Sequence, residues 1–233
     1  MISEPKRSRR KAPVQKDHLS IKAEFKPKTE AQRQMIHAFL DDLNIVAHGS
    51  AGSGKSFVAC YLALSSFFRG DHEKIVIVRS AVATRDQGHL PGTLEEKSSV
   101  FSIPYKNIVN ELCGNGTAWE VLTKKGAVEF ITTSYVRGIT IDNAVVIFDE
   151  FQNADSEEIM SLLTRVGENT NIILCGDTKQ SDLFRKREKS GATFIMDIAS
   201  KMPDWFEPVE FTSHDIVRSG FVKALIQTVE NAG

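Results

Sequence analysis

HGSAGSGKS, residues 48–56, is the stretch of this sequence from which the fold can be derived. It matches the pattern G-x-x-x-x-G-K-[ST], between a short apolar run at 44–47 and a longer run at 57–68 that contains neither glycine nor proline. This order predicts a strand, a tight loop and a helix. The loop glycines would expose backbone N–H groups at a helix N-terminus, where the dipole favours anions. The stretch predicts a phosphate-binding loop; the alternative is a glycine-rich turn that precedes a lysine by chance.

The phosphate-binding loop predicts a nucleoside-triphosphate site that takes ATP and Mg²⁺. The Lys55 ammonium would neutralise the β- and γ-phosphates, and the Ser56 hydroxyl would bind Mg²⁺. Earlier in the chain, Gln32 has two interpretations: its side chain completes a helix cap that begins at Thr29, or its amide reads the adenine edge. The predicted nucleotide-binding residues are Gln32, Gly49, Ser50, Ala51, Gly52, Ser53, Gly54, Lys55 and Ser56.

Composition indicates a soluble globular protein without a membrane partner. Of the 233 residues, 41% are hydrophobic and 25% are charged, and we expect neither a membrane span nor a signal peptide. The three cysteines lie far apart, which favours a reducing, cytoplasmic location and no cysteine metal site. The net charge is −1, yet residues 1–16 hold six basic residues against one acidic residue. We expect residues 1–20 to form a flexible basic tail, which either contacts nucleic acid or only aids solubility.

After the loop, strand-like apolar runs alternate with helical patterns. The runs lie at 74–79, 127–132, 143–150, 171–177 and 209–212. Strands that alternate with helices predict an α/β fold, with a mostly parallel sheet flanked by helices. The less regular segment at about 84–126 is expected to be an inserted, mostly helical excursion. We expect a single domain over residues 21–233.

Polar residues follow two of these runs, at the edge of a parallel sheet where ligands bind. Asp149 and Glu150 have the form of a Walker B pair: Asp149 would help Ser56 to hold Mg²⁺, and Glu150 would activate the attacking water. Gln180, four residues after Gly176, could contact both the γ-phosphate and that water. The alternative for the carboxylates is a solvated strand end.

With these residues in place, the sequence resembles the PhoH-like family, a branch related to the superfamily 1 helicase ATPases. The motifs are P-x-T-x-x-Q at 27–32, the loop, R-x-A-V at 79–82, G-x-L-P-G-x-x-x-E-K at 88–97, Y-x-R-G-x-T at 135–140, D-E-x-Q-N at 149–153, G-D-x-x-Q-x-D at 176–182 and D-x-V-R at 215–218. The sequence departs from the family in two places. Phe151 replaces a usual alanine, and Ser219 and Gly220 stand where a His-Pro pair is usual.

The resemblance implies a RecA-like core, ATP-dependent action on RNA, and a ring, commonly a hexamer, in which an arginine reaches the neighbour's nucleotide. A ring also follows from domain count, since one RecA-like domain leaves the γ-phosphate half open and a second copy could cover it. Arg218 is the candidate for that arginine. The alternative for Arg218 is an ion pair with Asp215 in the same chain.

The nucleic-acid candidates are weaker. Related helicases contact the phosphate backbone after the strand that follows the loop helix, and the residues here are Arg79, Thr84 and Arg85. Tyr135 could stack on a base and Arg137 could bind a phosphate. Equally, Tyr135 and Arg137 could connect the nucleotide site to the inserted segment.

Three functions remain open at this point. The first is an ATPase that acts on single-stranded RNA or DNA. The second is a nucleotide-gated scaffold that assembles without moving along nucleic acid. The third is a small-molecule kinase, against which Glu150 and Gln180 argue, because both are suited to activating water. Stimulation of hydrolysis by single-stranded nucleic acid would separate the first from the second.

Overall fold

A computed structural model of the chain describes residues 19–80, 94–177 and 191–231. At 94–99 and at 231 it describes the backbone alone. Nearly all of the predicted basic tail lies outside the described residues, as do Thr84, Arg85 and Gln180. Among the described helices, none is long and apolar enough to cross a membrane.

Six parallel strands form one sheet, which confirms the predicted α/β fold. The strands are β1 (Asn44–Gly49), β2 (Lys74–Arg79), β3 (Val128–Thr132), β4 (Ala144–Asp149), β5 (Asn171–Gly176) and β6 (Phe206–Phe211). Their spatial order is β3-β2-β4-β5-β1-β6, and neighbouring strands pair in parallel. The loop strand β1 and the carboxylate strand β4 are therefore separated by β5 alone.

Helices cover both faces of this sheet. The helices of the described residues are α1 (Glu30–Leu40), α2 (Lys55–Arg69), α3 (Leu94–Cys113), α4 (Ala118–Lys124), α5 (Ser156–Leu163), α6 (Gly191–Lys201) and α7 (Gly220–Asn231). Short 3₁₀ turns lie at Thr133–Tyr135, Phe151–Asn153 and Ser213–Asp215. Within the segment at about 84–126, the described residues form helices α3 and α4.

The continuous apolar runs exist because the central strands are buried on both sides. Every residue of β4 is buried. Val145 and Ile147 pack with helices α1–α4 on one face, whereas Val146 and Phe148 pack with α5 and α6 on the other. This alternation explains why the sequence shows unbroken hydrophobic runs, as expected for parallel sheets covered by helices.

Candidate active site

The phosphate-binding loop joins β1 to α2, as the sequence predicts. Gly49, Gly52 and Gly54 have φ angles of 107°, 73° and 88°, in the left-handed region that glycine adopts readily. A Cβ on Gly49 would lie 2.1 Å from the carbonyl oxygen of Phe211 on β6. That carbonyl accepts a 2.7 Å hydrogen bond from the Ser50 N–H. Close approach to β6 therefore explains why residue 49 is glycine.

Lys55 lies inside the loop, with its ammonium group bonded to loop atoms. Its Nζ donates to the carbonyl oxygens of Gly49 at 2.9 Å and Ser50 at 2.8 Å, and to Ser53 Oγ at 3.3 Å. Burial lowers the pKa of Lys55 below its usual range, and nearby acidic side chains, such as Asp149, oppose that shift. The loop thus holds a desolvated cation, which is suited to binding phosphate oxygens.

Ser56 and Asp149, the predicted Mg²⁺ ligands, are in contact. Ser56 Oγ donates to Asp149 Oδ1 at 3.0 Å, and the Glu150 N–H donates to the same oxygen at 3.0 Å. The other carboxylate oxygen, Oδ2, accepts a 2.6 Å bond from the hydroxyl of Tyr105 on α3. A serine hydroxyl and a carboxylate are hard oxygen ligands that fit Mg²⁺.

Within the described ranges, no group of three or more histidine, cysteine, aspartate or glutamate side chains could hold a metal ion. Mg²⁺ commonly binds through one or two protein oxygens and completes its shell with water and substrate phosphates. The pair of Ser56 and Asp149 fits this mode of binding, in which the phosphates of a nucleotide supply further ligands.

Glu150 follows β4 in a left-handed backbone conformation with φ 57°, which directs the chain into the next 3₁₀ turn. Its Oε2 accepts a 2.6 Å bond from Gln152 Nε2. Gln152 Oε1 in turn accepts a 3.0 Å bond from the Asp177 N–H, just after β5. Burial raises the pKa of Glu150 above its usual range, and the Asp149 charge adds to the rise, while Arg79 and Lys55 oppose it. Gln152 therefore orients a carboxylate whose basicity is increased.

Phe151 and Gly176 explain one departure from the family motif. The Phe151 side chain is fully buried, and a Cβ on Gly176 would lie 2.7 Å from its ring and 2.7 Å from Gln152 Oε1. Because Gly176 on β5 has no side chain, there is room for a large aromatic residue at position 151, where alanine is usual. The substitution leaves the two carboxylates in place beside the loop.

Gln32 contacts the loop directly, which neither interpretation from the sequence anticipates. Thr29 caps α1 as predicted and accepts from the Gln32 N–H at 3.3 Å, but the Gln32 side chain does not complete a capping box. Its Oε1 accepts from the Lys28 N–H at 2.8 Å, and its Nε2 donates to the Ser53 carbonyl at 3.1 Å. The buried amide therefore ties the start of α1 to the loop, while its adenine-reading role stays a prediction.

Arg218 lies beside the loop of its own chain. A Cβ on Gly52 would lie 3.0 Å from Arg218 Cγ and 3.8 Å from its Nε, and the Val217 N–H donates to the Gly52 carbonyl at 3.1 Å. The predicted alternative, an ion pair with Asp215, is wrong for these two described side chains. The Asp215 Oδ2 instead accepts bonds from the N–H and hydroxyl of Thr212, both at 2.9 Å.

The described nucleic-acid candidates lie at the last residue of β2 and after β3, at the carboxyl edge of the sheet. The Arg79 guanidinium lies 5.8 Å from the centre of the Phe101 ring on α3. Tyr135 and Arg137 are exposed, Tyr135 to 55%. The Arg79 charge also opposes the rise in the pKa of Glu150.

Two residues that contact the predicted carboxylates are absent from the sequence-based set of candidates. Gln152 belongs to the D-E-x-Q-N motif, and that position was the available signal for its importance. Tyr105 belongs to no motif and lies 44 residues before Asp149, so only the tertiary structure reveals its contact.

Comparison with known proteins agrees with this geometry. Residues 24–230 match the model of the family described as PhoH-like protein. A PhoH-like protein of Bacillus subtilis (strain 168) is 32% identical over 204 residues, covering 87% of this chain and 63% of the relative. Protein PhoH of Escherichia coli (strain K12) is 35% identical over 160 residues, covering 68% of this chain and 45% of the relative. The chain thus spans about half to two thirds of the length of these relatives.

Solved structures show weaker likeness. A Sulfolobus solfataricus SWI2/SNF2 ATPase core in complex with dsDNA has a TM-score of 0.46 at 10% identity, covering 83% of this chain and 46% of that chain. The Pif1 helicase of Candida albicans has a TM-score of 0.38 at 15% identity, covering 79% and 39%. The fold assignment rests instead on the loop and the strand order, which are those of a RecA-like P-loop NTPase. The extent of the sequence match shows that this chain belongs to the PhoH-like protein family.

Proposed function

We propose that this chain is an ATPase that hydrolyses ATP at the carboxyl ends of β1, β4 and β5. The observation that carries the proposal is the 3.0 Å contact between Ser56 Oγ and Asp149 Oδ1, with Lys55 and Glu150 adjacent to them in sequence. The four residues come from the start of α2 and the end of β4, and they supply a phosphate-binding cation, two oxygen ligands and a base. We take residues 21–233 as the single domain that carries this site.

Nucleotide binding uses groups that already face the loop. The Lys55 ammonium exchanges its bonds to the Gly49 and Ser50 carbonyls for bonds to phosphate oxygens, which are stronger partners because they are charged. Ser56 and Asp149 would hold Mg²⁺, which would supply positive charge to the β- and γ-phosphates. Gln32 keeps one N–H and one lone pair for the adenine edge, because its amide uses only one of each in the structure.

Hydrolysis requires a base that is ionised and correctly placed. Glu150 accepts the proton of the attacking water, and Gln152 holds the carboxylate for that task. The raised pKa of Glu150 makes it a stronger base than an exposed glutamate. Gln180 contacts the γ-phosphate and the water, and Arg218 reaches the nucleotide of its own chain, a role supported by its position against Gly52.

The substrate beyond ATP is single-stranded RNA or DNA. Arg79, Thr84 and Arg85 supply backbone contacts, while Tyr135 stacks on a base and Arg137 binds a phosphate. Exposure of Tyr135 and Arg137 supports this assignment, because these side chains are accessible at the same edge of the sheet as the loop. The three free, buried cysteines fit work in the reducing cytoplasm.

Assembly into a ring, with six subunits as the expected number, is the remaining part of the proposal. One observation favours assembly: Phe221, Leu225 and Val229 are 77%, 51% and 65% exposed and recur every fourth residue on α7. An exposed apolar row of this kind is typical of an interaction surface. The same row favours the second candidate function, a nucleotide-gated scaffold that assembles without moving along nucleic acid.

Phosphate release with and without single-stranded RNA or DNA tests the proposal. An ATPase that acts on nucleic acid should be stimulated by at least one of the two polymers. Hydrolysis that neither polymer changes would favour the scaffold, and absence of hydrolysis under all conditions would overturn the ATPase. A Tyr135→Ala variant should lose stimulation and keep basal hydrolysis, because Tyr135 is exposed and lies outside the loop.

A further inference from the structure

The Tyr105 hydroxyl is buried against a carboxylate of the site. Tyr105 is only 1% exposed, and its ring lies 5.8 Å from that of Phe130 on β3. Its hydroxyl donates to Asp149 Oδ2 at 2.6 Å. Burial and the Asp149 charge raise the pKa of Tyr105 well above its usual value, so the hydroxyl keeps the proton that it donates.

Asp149 receives three hydrogen bonds from described residues, two at one oxygen and one at the other. Oδ1 accepts from Ser56 Oγ and from the Glu150 N–H, both at 3.0 Å. Oδ2 accepts from Tyr105. A carboxylate held at both oxygens cannot rotate about its Cβ–Cγ bond without breaking one of these contacts. The Tyr105 contact therefore fixes the orientation of the carboxylate, with one oxygen directed towards Ser56.

We propose that Tyr105 is a positioning residue for Mg²⁺–ATP: it holds Asp149 Oδ2 so that Oδ1 stays beside Ser56, where the metal binds. This inference rests on the proposed ATPase function. A phenylalanine would fill the same space in the core, so packing alone does not require the hydroxyl. Outer hydrogen-bond partners of metal-binding carboxylates usually change metal affinity or activity by about 10–100-fold when removed.

The helix that carries Tyr105 is suited to this task. Pro104 precedes Tyr105 inside α3, where it cannot donate the usual helical bond to the carbonyl of Val100. Four residues before Tyr105, Phe101 contacts the Arg79 guanidinium. Two successive turns of α3 thus contact the ends of β2 and β4, through Phe101 and Tyr105. The Phe101 contact therefore helps to fix the position of Tyr105.

The test compares Tyr105→Phe with wild type and with Tyr61→Phe. Tyr61 is a matched control, because its ring packs on Phe25 in the same core cluster, at 4.8 Å, and it does not contact the site. The measurement is the Mg²⁺ concentration that half-saturates binding of a fluorescent, non-hydrolysable ATP analogue. We expect this concentration to rise about tenfold in Tyr105→Phe and to stay within twofold of wild type in Tyr61→Phe. Affinity for the analogue in excess EDTA should not change.

A double variant shows whether Tyr105 acts through Asp149. In the Asp149→Asn background, adding Tyr105→Phe should change the half-saturating Mg²⁺ concentration by less than twofold, because the contact is already altered. The double variant is also a control for misfolding. It has no carboxylate at position 149, so removal of the Tyr105 hydroxyl leaves no buried charge without its hydrogen-bond donor. An additive effect in that background would overturn the inference.

Failure of the inference and failure of the proposed function give different results. If wild type binds the analogue with clear Mg²⁺ dependence and Tyr105→Phe matches it, Tyr105 is a packing residue only and the ATPase proposal stands. If wild type binds no nucleotide, or binds it without any effect of Mg²⁺, both are overturned.

Discussion

The Val217 N–H donates to the carbonyl oxygen of Gly52 at 3.1 Å, which ties the segment after β6 to the phosphate-binding loop of the same chain. Arg218 follows directly, with its side chain against Gly52, and Ile226 of α7 approaches the same glycine. Arg218 would therefore lie next to a nucleotide that is bound in the loop of the same chain. This contact favours action within one subunit over the intersubunit role that the sequence suggested.

Arg218→Ala should lower ATP turnover by roughly 10³-fold while ATP binding persists, the loss typical of an arginine that stabilises transferred phosphate. Mixing this variant with Lys55→Ala should restore no activity, because each subunit then lacks one of two groups that act together. Lys201→Ala, an exposed change on α6, is the control. Activity that appears in the mixture, with subunit exchange demonstrated, would contradict action within one chain.

Glu150→Gln should cut hydrolysis by about 10²-fold or more and leave ATP affinity nearly unchanged, because it removes the base but retains the size of the side chain. Glu157→Gln, on the exposed side of α5, should hydrolyse ATP at the wild-type rate. Phosphate release and equilibrium binding of ATP measure the two effects separately. Loss of ATP binding in Glu150→Gln would make Glu150 a binding residue instead of a base.

Much of the fold is predictable because burial on both faces leaves unbroken apolar runs in the central strands. The bounds of β6, one of the two edge strands, are harder to predict. β6 runs from Phe206 to Phe211, three residues earlier than the apolar run suggests, and it contains Pro208. Proline lacks an N–H for the ladder and is tolerated at a sheet edge. A residue that normally argues against a strand therefore obscures where this one begins.

The site, too, is predictable from the sequence only in part. Lys55, Ser56, Asp149 and Glu150 are predictable, since each lies at a strand end or a helix start that a motif marks. Contacts between distant elements are not. The Gln32 amide bonds to Ser53 across the loop, and no local pattern distinguishes that bond from a helix cap.

Gly176→Ala should destabilise the protein by about 1–3 kcal/mol, because the added carbon would lie 2.7 Å from the Phe151 ring in a packed core. It should also lower hydrolysis, since the same carbon would displace the Gln152 amide that orients Glu150. Gly116→Ala is a suitable control, because a Cβ there meets no atom within 4 Å. Urea denaturation gives the free energy of unfolding of each variant. Equal stability of Gly176→Ala and wild type would contradict the described packing.

Acid should weaken the fold partly through His72. Burial lowers the pKa of His72 below 6.5, although the charges of Asp71 and Asp42 oppose the shift. The unfolded chain, in which histidine keeps its usual pKa of about 6.5, therefore binds the proton more readily. The free energy of unfolding should fall as pH drops through about 6.5 towards the lower folded-state pKa. In His72→Gln this fall should be smaller, whereas His37→Gln, at an exposed position on α1, should behave as wild type.

The central claim is that the loop lysine and the strand-end carboxylates form one hydrolytic site. Phosphate release by the purified chain and by Lys55→Ala, with ATP and Mg²⁺, tests it most directly. The account predicts Mg²⁺-dependent release by wild type and almost none by Lys55→Ala, because that variant lacks the charge facing the transferred phosphate. Equal release by the two proteins would contradict it.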